Sequence, residues 1–349
     1  VADAVSGAAE ARRVEPLKIV NLGGGTGLST LLRGLRNLSA ELEDAAGAPP
    51  LDLAAIVTVS DDGGSSGRLR RDFDMLAPGD IRNCMVALAE DETLLTKLFN
   101  HRFQSGKGLE GHNFGNLFLT ALTEVTGDFH EAIKVSSEVL AIRGRIFPST
   151  LENVRLEAEL RTGRSMLGET RITGSRGGIK HMRLRPRECA PVPEALQAIA
   201  EADLVTLGPG SLYTSVIPNL LISGVAQAVA QSPARKAYIS NLMSEPGETD
   251  GYSAADHLRA VYEHSGDGLV DTVIVNNREA VPEAVDRYAR QGAYAVQVDS
   301  TELRAMGAQV VDAPLLADGP VVRHETETLA RLLVKLAVDG RRRRNKPTG

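Results

Sequence analysis

Glycines, serines and adjacent acids concentrate in a few short stretches of this chain, most of them directly behind an apolar run. The first stretch is Asn21-Leu22-Gly23-Gly24-Gly25-Thr26-Gly27-Leu28-Ser29. Glycine lets a backbone turn tightly and meet a ligand without a Cβ in the way. A helix start behind such a turn offers unpaired N–H groups and a partial positive charge. Gly24, Gly25, Thr26, Gly27, Leu28 and Ser29 are therefore candidates to cradle a phosphate. No Gly-Lys-Ser/Thr follows, so this is not a Walker loop. Leu28 also stands where the dinucleotide fingerprint, counted from Gly23, needs its third glycine. A tight turn with close helix packing is the competing reading.

The second stretch is Ser60-Asp61-Asp62-Gly63-Gly64-Ser65-Ser66-Gly67-Arg68. An acid at the end of a second strand can accept ribose hydroxyls. Asp61 and Asp62 can alternatively hold Mg²⁺ through oxygen ligands, with Ser65 beside them; an Asx turn would explain them without any ligand. In Pro78-Gly79-Asp80-Ile81-Arg82-Asn83, Asp80 is expected to cap a helix. That leaves Arg82 and Asn83 in the first turn to reach an anion. In Gly111-His112-Asn113-Phe114-Gly115-Asn116, Asn113 and Asn116 suit base edges and hydroxyls, and His112 suits a phosphate or proton transfer. Leu207-Gly208-Pro209-Gly210-Ser211-Leu212 repeats the physics of the first loop, with Gly208, Gly210, Ser211 and Leu212 as candidates. Asn241 opens a further polar loop, Asn241 to Thr249. Four of these loops follow strands, and a parallel sheet brings strand ends to one edge. They are expected to converge on one cleft.

The elements that must position these loops follow from hydrophobic spacing. Strands are expected at Leu17 to Leu22, Leu51 to Val59, Leu204 to Leu207, Lys236 to Ser240, Thr272 to Val275 and Ala293 to Val298. Helices are expected at Leu28 to Leu38, Pro193 to Ala202, Leu220 to Gln231, Ala254 to Ser265, Glu283 to Gln291 and Glu325 to Val338, with a helix-rich block between Asp80 and Ile142. Val154 to Leu184 alternates and carries Gly-containing turns, which reads as hairpins. The predicted fold is α/β: a doubly wound, mostly parallel, Rossmann-like sheet with an inserted β-hairpin region at about 153–186. One domain spans 17–339, between a flexible stretch at 1–16 and a basic, solvated tail at 340–349.

Composition narrows the function classes. Of 349 residues, 42% are hydrophobic and 24% charged, as in soluble globular proteins. Aromatics are 4% with no Trp, and the net charge is −6, which argues against nucleic acid. Two cysteines fit reduced thiols in a reducing compartment. The histidines show no metal-ligand spacing, and His257 and His264 read as surface residues of one helix. No apolar run is long enough to span a membrane, and 1–16 has no apolar centre of the signal-peptide kind. The expected location is the cytoplasm.

The runs Gly23 to Ser29, Asp61 to Arg70 and Gly208 to Ser215 carry a resemblance. So do Gly79-Asp80, Arg82-Asn83, Gly111-His112, Gly115-Asn116 and Gly247-Glu248-Thr249-Asp250-Gly251-Tyr252. Together they resemble the YvcK-type gluconeogenesis factors of the CofD-like superfamily (UPF0052), over roughly Lys18 to His324. The resemblance implies a CofD-like, Rossmann-related fold. CofD itself transfers phospholactate from a guanylyl carrier to a deazaflavin with the help of a metal. YvcK-type proteins are instead linked to cell shape, cell-wall precursor supply and growth on gluconeogenic carbon. They resemble UDP-sugar binders, notably of UDP-N-acetylglucosamine (UDP-GlcNAc), with no settled catalysis. On this resemblance Tyr288 and Arg323 join the sugar-nucleotide site, since Arg grips a diphosphate bidentately and Tyr stacks or donates. NAD or GDP are alternative occupants, and a metal-dependent CofD-like transferase is the rival activity. Thr326 and Thr328, at the start of the last helix, are implied targets of a Ser/Thr kinase. Cell-wall or morphogenesis proteins and a second copy of the chain are the implied partners.

Overall fold

The computed structural model describes residues 15–43, 48–90 and 94–345. Strands β1 (Leu17–Gly23), β2 (Leu51–Val57), β3 (Arg145–Pro148), β7 (Leu204–Leu207), β8 (Arg235–Ile239), β9 (Thr272–Asn276) and β10 (Gln309–Ala313) form one sheet. Its order is β10-β9-β8-β7-β1-β2-β3, and every pairing is parallel. Strands β4 (Arg155–Leu160), β5 (Ser165–Leu167) and β6 (Ile179–Arg185) form a separate antiparallel sheet in the order β5-β4-β6. The first half carries helices α1 (Gly25–Glu43), α2 (Gly64–Phe73), α3 (Gly79–Leu88), α4 (Leu94–Asn100), α5 (Phe114–Thr126) and α6 (Phe129–Val139). The second half carries α7 (Glu169–Thr173), α8 (Pro193–Glu201), α9 (Ile217–Leu220), α10 (Val225–Gln231), α11 (Ala254–Ser265), α12 (Pro282–Ala289), α13 (Ser300–Ala305) and α14 (Thr326–Arg344).

Helices cover both faces of a parallel sheet, so its central strands are apolar almost throughout. Ile19, Val20 and Leu22 of β1 and Ala54, Ala55, Ile56 and Val57 of β2 are buried. Asn21 is the polar exception on β1: it donates to the Ala54 carbonyl (3.2 Å) and accepts from the Thr206 hydroxyl (2.9 Å). One side chain thus bridges β1 to both neighbouring strands. Helix α1 buries Leu28, Leu31, Leu32, Leu35 and Leu38 at helical spacing. Gly34 lets α14 close on it, because a Cβ there would stand 2.8 Å from the Thr326 carbonyl oxygen. The strand order reverses between β1 and β7, which makes that gap the topological switch point where open α/β sheets bind ligands.

Several expectations need correction. Ala293 to Val298 is not a strand. It hydrogen-bonds to loop 242–244 through Ser244 N–H on Tyr294 and Val296 N–H on Leu242, and β10 takes the sheet edge instead. Strand β3 and strand β10 were not expected. Leu220 to Gln231 is two short helices broken around Gly224, whose φ is +80°. His257 is fully buried, and His264 is half-buried and accepts the Met182 N–H (2.9 Å). Neither is a surface residue: His264 stacks on His181 of the small sheet, and His257 packs edge-on against Tyr252. The basic segment 340–349 is not a solvated tail where it is described: α14 runs through Arg344, and Arg341 and Arg344 pair with the fully buried Asp203 at 2.5 and 3.0 Å. Residues 1–14 and 346–349 lie outside the described residues. Among the described residues, no single helix is long and apolar enough to cross a membrane.

Candidate functional site

A cavity of about 620 Å³ opens at the switch point, within the usual range of small-molecule pockets. The loop after β1 supplies Gly24, Gly25, Thr26, Gly27 and Ser29. The loop after β7 supplies Pro209, Gly210 and Ser211, and the loop after β8 supplies Asn241 to Pro246. Tyr288 of α12 and Arg323, just before α14, close the far side, and Asn83 of α3 reaches in.

The glycines are dictated by how closely the loops meet. A Cβ on Gly27 would stand 2.5 Å from the Pro209 carbonyl oxygen and 3.1 Å from Gly210 Cα. On Gly24 it would stand 2.7 Å from both Asp80 Oδ2 and Thr58 Cγ2. Gly25 holds φ +63°, which opens the turn into α1. Asn219 locks the arrangement from below, donating to the Gly23 carbonyl (3.0 Å) and the Ser215 carbonyl (2.8 Å). Between Ser211 and α9 the chain makes a π-helical turn, Leu212–Val216. Asn241 donates to the Gly210 carbonyl (3.1 Å) and accepts from Tyr238 (3.2 Å), so the second and third loops are also tied.

The far wall is pinned at two points around Arg323. The Tyr288 hydroxyl accepts the Val322 N–H (3.2 Å), and His324 Nε2 lies 3.2 Å from the Ser240 carbonyl. Burial pushes His324 down to about 4, so it is a neutral donor to that carbonyl. Arg323 itself has no carboxylate partner among the described residues. Glu245 is the one carboxylate lining the cavity among those residues. Burial raises it, opposed by bonds from Ser211 and Asn241.

The remaining candidates do not line this cavity. Leu28 and Leu212 are core residues, and Gly208 (φ +82°) turns the chain beneath it. Asp80 is not a helix cap. Pro78 takes that place in α3, and the Asp80 carboxyl instead accepts the Gly25 N–H and a bond from Asn83. Burial raises it to about 6. Arg82 turns away from the cavity: it lies along Gly115 and donates to Asn100 (2.8 Å). Ser65, His112, Asn113 and Asn116 instead join the starts of α2 and α5. The Ser65 hydroxyl lies 3.1 Å from His112 Nδ1 and accepts the Asn113 N–H (3.3 Å), while Asn113 caps α5 through the Asn116 N–H (3.2 Å). One cleft was expected; the structure separates the candidates into a cavity and this neighbouring polar junction.

Asp61 and Asp62 stand between the two. Asp61 Oδ1 accepts the Gly63 N–H (2.8 Å), and Asp62 Oδ1 accepts both the N–H and the hydroxyl of Thr170 (2.8 and 2.7 Å). Glu169 is pushed up to about 9, first by burial and then by the charges of Asp61, Asp80, Asp62 and Glu248. Excess carboxylate with oxygen donors suits a hard cation. Among the described residues, no three His, Cys, Asp or Glu side chains are grouped to hold a metal ion. Asp61 and Asp62 alone would hold at most a hydrated Mg²⁺ shared with a ligand phosphate.

Sequence reasoning missed Arg33, Ser215, Glu245, Gln291 and Thr326 as lining residues. Ser215, Glu245 and Thr326 were within stretches already singled out, but as neighbours of other candidates. Arg33 carried a signal in its spacing, since Thr26, Ser29 or Thr30, and Arg33 share one face of α1.

The chain matches the family model for 2-phospho-L-lactate transferase CofD over residues 19–316. A protein named gluconeogenesis factor from Bacillus subtilis (strain 168) is 46% identical over 320 residues, covering 91% of this chain and 98% of that one. A second from Halalkalibacterium halodurans is 44% identical over 318 residues, covering 91% and 95%. The crystal structure of a UPF0052 family member from Bacillus halodurans, 43% identical, superposes with a TM-score of 0.86 over 92% of this chain and 99% of that one.

Proposed function

We propose, because the chain belongs to the CofD family and stands with its gluconeogenesis factors, that it is a cytoplasmic regulatory protein that binds a UDP-sugar, UDP-GlcNAc foremost. Through that binding it serves cell-wall precursor supply, cell shape and growth on gluconeogenic carbon. The observation that carries this reading is the contact between two glycine loops at the switch point. Gly27 and Pro209 approach so closely that no side chain fits, and the loops face a cavity large enough for a nucleotide-sugar. In this reading the diphosphate lies along the Gly24 to Gly27 backbone and against Arg323, and Tyr288 holds the Arg323 loop in place.

A binder rather than an enzyme is favoured by the lining itself. Among the described residues, its one carboxylate, Glu245, is tied to Ser211 and Asn241, and its one histidine, His324, is tied to Ser240. Calorimetric titration with UDP-GlcNAc, UDP, GDP and NAD, with and without Mg²⁺, tests the reading. UDP-GlcNAc should bind tightest, and Arg323→Ala should weaken it. Equal binding of GDP or NAD would overturn the UDP-sugar assignment.

The carboxyl group around Asp61, Asp62 and Glu169 supports a second reading, a CofD-like transferase. Bound there, Mg²⁺ would neutralise phosphate charge during group transfer. Asp61 and Asp62 would hold and orient it. Metal-dependent product from a guanylyl phospholactate donor would establish this reading and displace the first. Regulation by a Ser/Thr kinase is proposed at Thr326, which lines the cavity, or at Thr328, two residues on in the same first turn of α14. Phosphate at the α14 start would compete for Arg323. Unchanged UDP-GlcNAc affinity in Thr326→Glu and Thr328→Glu would remove that idea.

A further inference from the structure

A second cavity, about 660 Å³, lies between the small antiparallel sheet and α11 and shares no lining residue with the first. Its two walls differ in charge. The sheet wall presents Arg161, Lys180, His181 and Arg183; the α11 wall presents Asp256 and Glu263 on one helical face, with Arg259 between them tied to Asp256 and to Glu302 of α13. Lys180 and Arg183 share a single carboxylate, Glu159, at 2.6 and 3.2 Å, so the sheet wall keeps a net positive charge. Arg161 has no carboxylate partner among the described residues. It donates to the Tyr252 hydroxyl (3.1 Å).

Tyr252 in turn shares a hydrogen bond with Tyr213 (2.8 Å). The two phenols have two protons between them, and one hydrogen bond uses one of them. The other has no acceptor in this trio, because a guanidinium accepts nothing. Burial pushes the Tyr213 phenol upward, so Tyr213 keeps its proton. His181 stacks flat on His264, with centroids 4.4 Å apart and planes 12° apart. His264 spends both nitrogens on Ala260 and Met182, whereas the His181 nitrogens have no hydrogen-bond partner among the described residues. Glu263 is likewise without an ion-pair partner among them. Unspent donors thus face one unspent carboxylate across a concave space of small-molecule size.

We propose that this cavity is a second ligand site, for a sugar monophosphate. The phosphate is gripped by Arg161, His181 and the spare phenolic proton, and Glu263 accepts sugar hydroxyls from the opposite wall. Arginine and neutral N–H and O–H donors suit phosphate oxygens. A carboxylate is acceptor-only and suits hydroxyls. The site owes nothing to the nucleotide-sugar reading, so it stands or falls separately.

The chain has six tyrosines and no Trp, so tyrosine emission, to which Tyr213 and Tyr252 contribute, is read without a tryptophan background, and calorimetry gives the affinity. The experiment titrates the full chain with glucose 6-phosphate, mannose 6-phosphate and ribose 5-phosphate, and with inorganic phosphate and glucose as controls. Emission and calorimetry are read in parallel, with and without saturating UDP-GlcNAc. The expected result is one-to-one binding of at least one sugar phosphate, undiminished by UDP-GlcNAc. Arg161→Gln should weaken it about tenfold or more and Glu263→Gln several-fold, with Arg323→Ala leaving it unchanged. Both substituted side chains are exposed, so folding is not at stake. No saturable binding of any of the three sugar phosphates would overturn the proposal. Equal affinity for inorganic phosphate, or loss of binding in Arg323→Ala rather than Arg161→Gln, would overturn it as well.

Discussion

Replacing Gly27 by alanine isolates the contact between the first two loops. The added methyl would lie 2.5 Å from the Pro209 carbonyl oxygen and 2.8 Å from its carbon, about 1 Å inside ordinary van der Waals contact. Backbone atoms on both sides cannot swing aside, so the loops must separate by roughly that distance. Overpacking of this kind costs about 1–3 kcal/mol. Gly27 lies within α1, where alanine returns about 1 kcal/mol of helix propensity. The net loss of stability is about 0–2 kcal/mol, a fall of at most a few degrees in Tm. Binding should suffer more. A shift of about 1 Å misaligns one or two charge-assisted hydrogen bonds to phosphate, each worth about 1.5–3 kcal/mol. The dissociation constant for UDP-GlcNAc should therefore rise at least about tenfold. Calorimetry gives the affinity, and thermal unfolding without ligand gives the stability. A folded Gly27→Ala protein with unchanged affinity would refute the reasoning that these loops hold the phosphates. Gly25→Ala is the companion: its Cβ meets nothing nearer than Ser215 Oγ at 3.6 Å, so its cost comes from the φ of +63°.

Other perturbations test other parts of the structure. Tyr288→Phe keeps the ring but leaves the Val322 N–H without its acceptor; affinity should fall about threefold to tenfold, against a larger loss in Arg323→Ala, by calorimetry. Asp203→Asn leaves Arg341 and Arg344 without their buried partner; denaturant unfolding should show a loss of about 3–5 kcal/mol. Glu169 and Glu248 are raised to about 9 and about 8, mainly by burial. The folded state then keeps protons that the unfolded chain releases above about 4.5, so stability should fall as pH rises from about 5 to 9, by up to about 1.4 kcal/mol per pH unit for each group. Melting curves across pH, repeated on Glu169→Gln, should show the slope and its reduction. If Mg²⁺ seats at the acid pair, Asp61→Asn should abolish any Mg²⁺-dependent gain in affinity; an identical gain in the variant would place the metal elsewhere.

What the sequence disclosed depended on how local the cause was. Gly24, Gly25 and Gly27 were legible because a loop that must meet another backbone needs glycine, and the following helix advertises itself by spacing. The parallel, doubly wound sheet was legible because strand and helix runs alternate. Arg341 and Arg344 read as a solvated tail because their partner, Asp203, lies 138 residues from Arg341 and shows no sign of burial in a linear sequence. His264 read as exposed for the same reason: Met182 of the small sheet, whose N–H it accepts, lies 82 residues earlier. Ala293 to Val298 has strand-like composition, but an extended segment becomes a strand only beside a free sheet edge, and β10 occupies that edge. The loops around Asp61 and His112 were correctly seen as polar and unusual. Their separation from the main cavity depends on the lie of α2 and α5, which no residue type encodes.

The first of the described strands sits in the middle of the sheet. β1 pairs on one side with β2 from Leu51 onward, but its other neighbour is β7, where Ile19 meets Leu204. About 150 residues must be synthesised between the end of β2 and the end of β7. At the usual elongation speed of about 5–20 residues per second, β1 spends roughly 8–30 s with one edge unpaired outside the ribosome. That edge carries Ile19, Val20 and Leu22 with their backbone N–H and C=O groups open, the kind of strand edge that recruits other chains. α14 comes later still, and only then does Arg341 close on the Pro16 carbonyl. A nascent chain stalled anywhere between β2 and β7 would thus present an aggregation-prone half-sheet to chaperones, and the two glycine loops would not yet have met.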